Sequence, residues 1–188
     1  MNEYLLILKG TNKDLATYEF ENLWKLYFNE DIKLKQIINV FYKFSSKNLI
    51  KSNSKLLERL TYTNYLGLKT FEGDFKTFEK EVKNLNLEKF DGKSFSIKPK
   101  RVKSEFKIAT EPKDLARPIY YLFKNPKVKL ENPEVEFLFL FKNPKDFHFS
   151  QKIYENDKDY LRRMPKKRPK VMPYTLKSDM ARVAINYL

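Results

Sequence analysis

Tyr160-Leu-Arg-Arg-Met-Pro-Lys-Lys-Arg-Pro-Lys-Val-Met-Pro-Tyr-Thr-Leu-Lys-Ser-Asp-Met-Ala-Arg-Val-Ala-Ile-Asn-Tyr-Leu188 sets the reading of the whole chain. Between Tyr160 and Lys170 it carries six cations and no acid: Arg162, Arg163, Lys166, Lys167, Arg168 and Lys170. Pro165, Pro169 and Pro173 keep that run out of a helix, because each ring fixes its own φ and biases the preceding residue toward extended backbone. Leu176, Met180, Val183, Ala184 and Tyr187 then recur at helical spacing, so a short amphipathic helix is expected from about Ser178. A basic, proline-stiffened strap running into a helix has the layout of a connector to something further on.

Upstream of the strap, three Asn-Pro steps punctuate the chain, at Asn125-Pro126, Asn132-Pro133 and Asn143-Pro144. Between the last two lies the clearest strand. Val135, Phe137, Phe139 and Phe141 point one way, and Glu136, Leu138, Leu140 and Lys142 the other. Phe147, Phe149, Gln151 and Ile153 alternate against His148, Ser150 and Lys152, which predicts a hairpin. His148 falls on the polar side and reads as a surface residue. A helix capped by Thr110 or Glu111, with Pro112 in its first turn, turns Leu115, Ala116, Ile119, Tyr120, Leu122 and Phe123 inward. Phe95–Val102 alternates apolar with basic residues as an exposed strand would, and Pro99 restricts it to an edge.

The first half repeats the alternation of element types. Tyr4–Leu8 is a buried strand candidate. A helix starting at Thr11–Asp14 buries Ala16, Phe20, Leu23, Trp24 and Tyr27 and ends at Asn29. Ile37–Phe44 reads as one strand, Lys55–Leu60 as a short helix, and Tyr62–Thr70 as a strand. A further helix after Gly73 buries Phe75, Phe78, Val82 and Leu85. Asp91-Gly92-Lys93 marks a turn and a candidate domain boundary. This alternation fits α+β or α/β, and α+β is the class expected.

Composition narrows the function. Lys and Arg number 38 against 24 Asp and Glu, a net charge of +14. Residues 1–95 hold 16 basic and 13 acidic side chains and residues 96–188 hold 22 and 11, so the excess rises from +3 to +11 in the second half. Such a field favours a polyanionic partner. No cysteine and a single histidine exclude thiolate metal sites and make a histidine-based one untenable. Apolar runs are too short to span a bilayer, and the N-terminus lacks a signal-peptide layout, so a cytoplasmic protein with no membrane association is expected. The four glycines, Gly10, Gly67, Gly73 and Gly92, form no phosphate- or cofactor-binding turn. No Walker lysine motif and no Pro-Pro-Tyr loop occurs. No catalytic residue and no metal ligand can be assigned.

The basic residues are the candidates that remain. Lys98, Lys100, Arg101 and Lys103 cluster around the edge strand, where phosphate binding and an ordinary solvated surface are equally good readings. In the strap the arginine pairs and absent acids favour phosphate contacts.

The segment from Lys100 to Ile153 resembles a THUMP domain, through the helix bearing Leu115-Ala116-Arg117 and the strand–turn–strand Val128–Glu136. The strap, and Met180-Ala-Arg-Val-Ala-Ile-Asn-Tyr-Leu188 after it, are similar to the linker that enters the catalytic domain of archaeal tRNA guanine-N2 methyltransferases acting at tRNA position ten. The resemblance implies an N-terminal ferredoxin-like domain (1–90), a THUMP RNA-binding core (91–156) and a basic linker with its helix (157–188). It implies binding of the tRNA acceptor stem and 3′ end. Lys98, Lys100, Arg101, Lys103 and Arg117 would make the contacts, with Arg162, Arg163, Lys166, Lys167 and Arg168 of the strap. The Rossmann-type methyltransferase domain, with its S-adenosylmethionine, is expected as a separate polypeptide or a deleted segment, so no cofactor is expected in this chain. Two other readings stand beside this one: a small autonomous enzyme using carboxylates such as Glu131, Glu134 or Glu136, and an interaction subunit of a split enzyme.

Overall fold

The computed structural model describes residues 1–85, 87–102, 106–108, 110–156 and 177–186. Helices and strands alternate through them in a mixed α/β arrangement with eight strands. Two compact units emerge: Met1–Leu66 together with Ile153–Leu188, and Gly67–Lys152.

In the first unit, β1 (Asn2–Leu8) buries five consecutive residues from Tyr4 to Leu8, so both of its faces are covered. Helix α1 (Lys13–Phe28) starts where Asn12 accepts a hydrogen bond from the Leu15 N–H at 3.1 Å. It stops where Asn29 turns left-handed at φ 50°, a conformation Asn tolerates better than most residues. Its apolar face carries Ala16, Phe20, Leu23 and Trp24 onto Tyr4 and Phe44, whose rings stack 5.0 Å apart. β2 (Lys35–Ile38) and β3 (Phe41–Ser46) follow, then α2 (Lys55–Arg59) and β4 (Thr63–Gly73), which begins in this unit. The strands lie in the order β2-β3-β1-β4, with β3 antiparallel to both β1 and β2.

The Ile37–Phe44 segment departs from the single strand expected. It is a hairpin, turned at Asn39-Val40, with Asn39 at φ 49°. One left-handed residue suffices to reverse the chain between two β-forming runs.

The second unit takes the remainder of β4, α3 (Phe75–Glu81), β5 (Ser94–Arg101), α4 (Pro112–Tyr120), β6 (Lys127–Val128), β7 (Val135–Phe141) and most of β8 (Phe147–Glu155). Asp74 caps α3 through the Thr77 N–H. The strand order within this unit is β8-β7-β5-β6. β7 pairs antiparallel with β8 in the expected hairpin, and β5 runs parallel to β7 from Phe95↔Val135 to Arg101↔Phe141. β6 covers only Ser94 and Phe95. Pro99 therefore sits where the outer side of β5 has no ladder to lose.

Phenylalanine fills the core of this unit. The Phe78 ring meets Phe71, Phe139, Phe147 and Phe149 edge-on, at centroid distances of 5.1, 5.2, 5.6 and 5.2 Å. Edge-to-face contact sets the positive ring rim against the negative ring face and adds to area burial. Leu115, Ile119 and Phe123 bring α4 onto the same face of the sheet. The opposite face is covered as well. Leu138, Leu140, His148 and Ser150 are all buried, so the surface position expected for His148 is not observed.

Helix α5 (Ser178–Asn186) starts at the expected residue but turns differently. Val183 is its buried side chain, whereas Met180 is 45% exposed. A polar clasp holds its end within the first unit. Asn186 Nδ2 donates to Glu19 Oε1 at 2.7 Å and to the Arg59 carbonyl at 3.0 Å, and Arg59 Nε donates to Asn186 Oδ1 at 2.8 Å. Burial of Val183 and hydrogen bonding to a nearly buried carboxylate both bear on which side of the helix faces in.

Candidate nucleic-acid interface

Strand alternation and register bring the candidate surface together in the second unit. Lys98 and Lys100 leave β5 on the side away from the phenylalanine core, next to Leu138 and Leu140 of β7. Ser150 and His148 of β8 continue those two rows. One residue pair earlier, Ser96 and Glu136 stand side by side. Glu136 is only 8% exposed and is held between two ammonium groups, Lys98 at 3.3 Å and Lys152 at 2.6 Å. A carboxylate that buried has to be paired. Its effect is to fix two lysine head groups from different strands over one row, while the trio keeps a net positive charge.

A second acidic centre lies near the other end of these strands. Glu72 takes Lys69 at 3.1 Å, Lys142 at 3.5 Å and His148 Nδ1 at 3.6 Å. The two carboxylates are thus outnumbered by Lys69, Lys98, Lys142 and Lys152, of which Lys98 is the most open, at 47% side-chain exposure, and Lys69 the least, at 13%. Lysine ammonium groups arranged on a rigid sheet suit phosphate oxygens as point-charge partners. Lys69, Lys142 and Lys152 were not singled out in the sequence. Their grouping depends on the pairing of strands distant in the chain. The polar half of the β8 alternation was the one available hint.

The other expected residues lie elsewhere. Arg101 leaves β5 on the opposite side to Lys98, and its Nη1 donates to the Phe106 carbonyl at 3.0 Å. Arg117 sits on α4, which packs on the phenylalanine face, and pairs with Asp114 at 3.6 Å. Lys98 and Lys100 are brought together; Arg101 and Arg117 are not brought to them. Lys103 and the strap cations Arg162, Arg163, Lys166, Lys167 and Arg168 lie outside the described residues.

Two of the carboxylates considered for catalysis have structural partners. Glu136 is bound by its two lysines. Glu134 accepts the Ser94 N–H at 2.7 Å, and that bond, with Lys93 and Lys127 nearby, holds its carboxyl below the usual range. Among the described residues no group of acids or histidines could hold a metal ion, and no helix is long and apolar enough to cross a membrane. A depression of about 360 Å³ in the first unit is lined by Glu3, Glu30, Asp31, Lys33, Lys35 and Lys43 among others. Its most perturbed group, Glu30, is engaged structurally. Burial works against its charge, but donors from Ser46, Lys47, Asn48 and Trp24 outweigh that and pull it down to about 2.

No protein-family profile and no curated protein matches this sequence. Its fold does have solved counterparts, which place it in a recognisable structural class. TrmN from Thermus thermophilus aligns with 85% of this chain at a TM-score of 0.58 and 14% identity, over 48% of its own length. A possible methylase from Clostridium difficile 630 aligns with 80% at 0.53 and 14% identity, over 41% of its length. PH1313 from Pyrococcus horikoshii Ot3 aligns with 82% at 0.51 and 14% identity, over 56%. The chain thus spans about half the length of these structures. At such identity the likeness is one of fold.

Proposed function

We propose that this chain is the tRNA-binding part of a tRNA-modifying methyltransferase. The observation that carries the proposal is the fold shared with TrmN and with a possible methylase. The lysine-rich sheet face, on a protein of net charge +14, supports it.

The reading has finer parts. The element order β-α-β-β-α-β with sheet order β2-β3-β1-β4 supports a ferredoxin-like N-terminal domain. We assign it to residues 1–90, followed by a THUMP core at 91–156 and a linker at 157–188. The substrate is tRNA, gripped at the acceptor stem and 3′ end, and the product is guanine methylated at N2 at position ten. The S-adenosylmethionine site belongs to a methyltransferase domain outside this chain, and the complex works in the cytoplasm. Phosphate contacts hold the RNA without reading its bases. The chain is a clamp that sets the distance to chemistry done elsewhere.

A titration of tRNA, and of tRNA lacking its 3′ end, at two salt concentrations tests this. Intact tRNA is expected to bind more tightly, and both affinities to fall with salt as counterions are released. Equal, weak binding to the two RNAs would overturn the reading.

A further inference from the structure

Two ammonium groups from different strands of the second unit share one carboxylate. Glu136 of β7 has Ser96 of β5 beside it in register, and on its other side Lys152 of β8 follows the Phe137↔Gln151 pair. Its Oε1 takes Lys98 Nζ at 3.3 Å and its Oε2 takes Lys152 Nζ at 2.6 Å. The Glu136 side chain is 8% exposed, whereas those of Lys98 and Lys152 are 47% and 26% exposed. The anion thus lies inside and the cations reach outward. Fully exposed ion pairs on flexible stems have small worth, but a carboxylate this buried cannot stay unpaired. The Ser96 hydroxyl, fully buried, has no hydrogen-bond partner among the described residues. It is therefore the two lysines, and not that neighbouring hydroxyl, that answer Glu136.

We infer that Glu136 is a positioning residue, which holds Lys98 and Lys152 together as a two-ammonium seat for a single phosphate of the bound RNA. Two cations that share a carboxylate stand within reach of one phosphate, because the paired oxygens of the two anions have similar spacing. Without Glu136 the like charges repel, and each lysine stem regains rotamers that a phosphate would have to freeze. With Glu136 that ordering is complete in the free protein, which is how preorganisation raises affinity. An acid beside an anion site also repels the anion, and this opposes the gain. The repulsion is screened over about 8 Å at physiological salt, whereas loss of the lysine geometry acts at contact distance. Ordering is therefore expected to win. The inference rests on the RNA-binding reading above and deepens it: Lys98 and Lys152 act as one contact rather than two.

The test titrates the full chain with tRNA over a series of salt concentrations. Glu136→Gln removes a negative charge, so charge alone would make binding tighter; loss of the seat should instead weaken it about three- to tenfold. Glu136→Asp keeps the charge, but its shorter side chain cannot reach both ammonium groups, and it should weaken binding too. Lys98→Gln and Lys152→Gln should each lower the salt slope by about one, and so should the double variant, since the same phosphate is lost each time. The double variant should bind about as well as either single one, a failure of additivity that marks a shared contact. Thermal melting checks that each variant is folded, and the lysine variants carry the test if those at Glu136 unfold. If Glu136→Gln tightens binding, the carboxylate only opposes the anion and the inference is overturned. If the two lysine effects add and the slope falls by about two, each lysine holds its own phosphate and the seat is refuted. If no lysine variant alters binding, the trio is a structural ion pair and the seat is refuted while tRNA binding stands. If the wild type binds no tRNA, the RNA-binding reading falls with it.

Discussion

The two units solve the same problem by different means. The second closes around rings: Phe78 alone meets four other phenylalanines edge-on, and Glu72 and Glu136 hold their lysines away from that core. The first has aromatic packing too, yet it ties its ends with polar groups. Glu19, 1% exposed, accepts the Thr61 and Tyr62 N–H groups at 3.3 and 2.9 Å and the Asn186 amide at 2.7 Å. Glu30 gathers Trp24, Ser46, Lys47 and Asn48. Dispersion and apolar burial carry no charge and respond weakly to pH or salt. Carboxylate knots respond to both. Stability in the first unit should therefore be chemically tunable, whereas in the second it should depend on volume.

The largest effect is therefore expected from a volume change. Phe78→Ala should destabilise by about 3–5 kcal/mol, through lost transfer energy and the cavity left behind. Hydrogen exchange is expected to quicken in β7 and β8 and to leave β1 and β3 untouched. Uniform quickening across both units would break the comparison.

Next comes Glu19→Ala. It strands two buried backbone N–H groups and the Asn186 amide, which costs about 2–4 kcal/mol. The specific readout is α5, whose amides should lose protection together with those of Thr61 and Tyr62. Loss confined to Thr61 and Tyr62 would mean that Val183 holds the helix rather than the clasp.

Glu30 gives the pH test. Its folded value of about 2 lies below the ordinary 4.5. The unfolded chain therefore binds the proton first, and the stabilisation is fully present above about pH 4.5 and lost as pH falls toward about 2. Glu30→Gln should cost about 1–2 kcal/mol at neutral pH, after allowing for solvent screening. Mutant and wild type should converge in acid. A constant gap across that range would show that the carboxylate charge is not what holds the knot.

Much of this was legible in the residues and some of it could not be. Helix α1 could be bounded because its ends are local: Asn12 caps one and Asn29 turns left-handed at the other. The β7–β8 hairpin was legible because alternation is local as well. Alternation says which residues share a face and nothing about whether that face is covered, so His148 is buried where alternation suggests a surface position. The Lys98–Glu136–Lys152 trio needs β5, β7 and β8 in register across more than fifty residues, and no short window contains it. Helix α5 has the expected start, and Val183 faces inward as expected while Met180 does not; the inward role of Asn186 depends on Glu19 and Arg59, which its own neighbours do not reveal.

The smallest effect concerns the turn hidden in Ile37–Phe44. Composition there favours a strand throughout, and one residue decides otherwise. Asn39 holds φ 49°, and the Gln36 side chain donates to its carbonyl. Asn39→Gly accepts that backbone without strain, so stability should shift by no more than about 0.5 kcal/mol. Asn39→Val puts a β-branched side chain in the left-handed region, at about 1–2 kcal/mol. Both variants keep the flanking sequence, so the difference between them isolates the turn from the strands. Equal melting temperatures for the two would mean that the β2–β3 register is set by the Tyr42 and Phe41 pairings and not by the turn, and would weaken the case that local polar geometry governs the first unit.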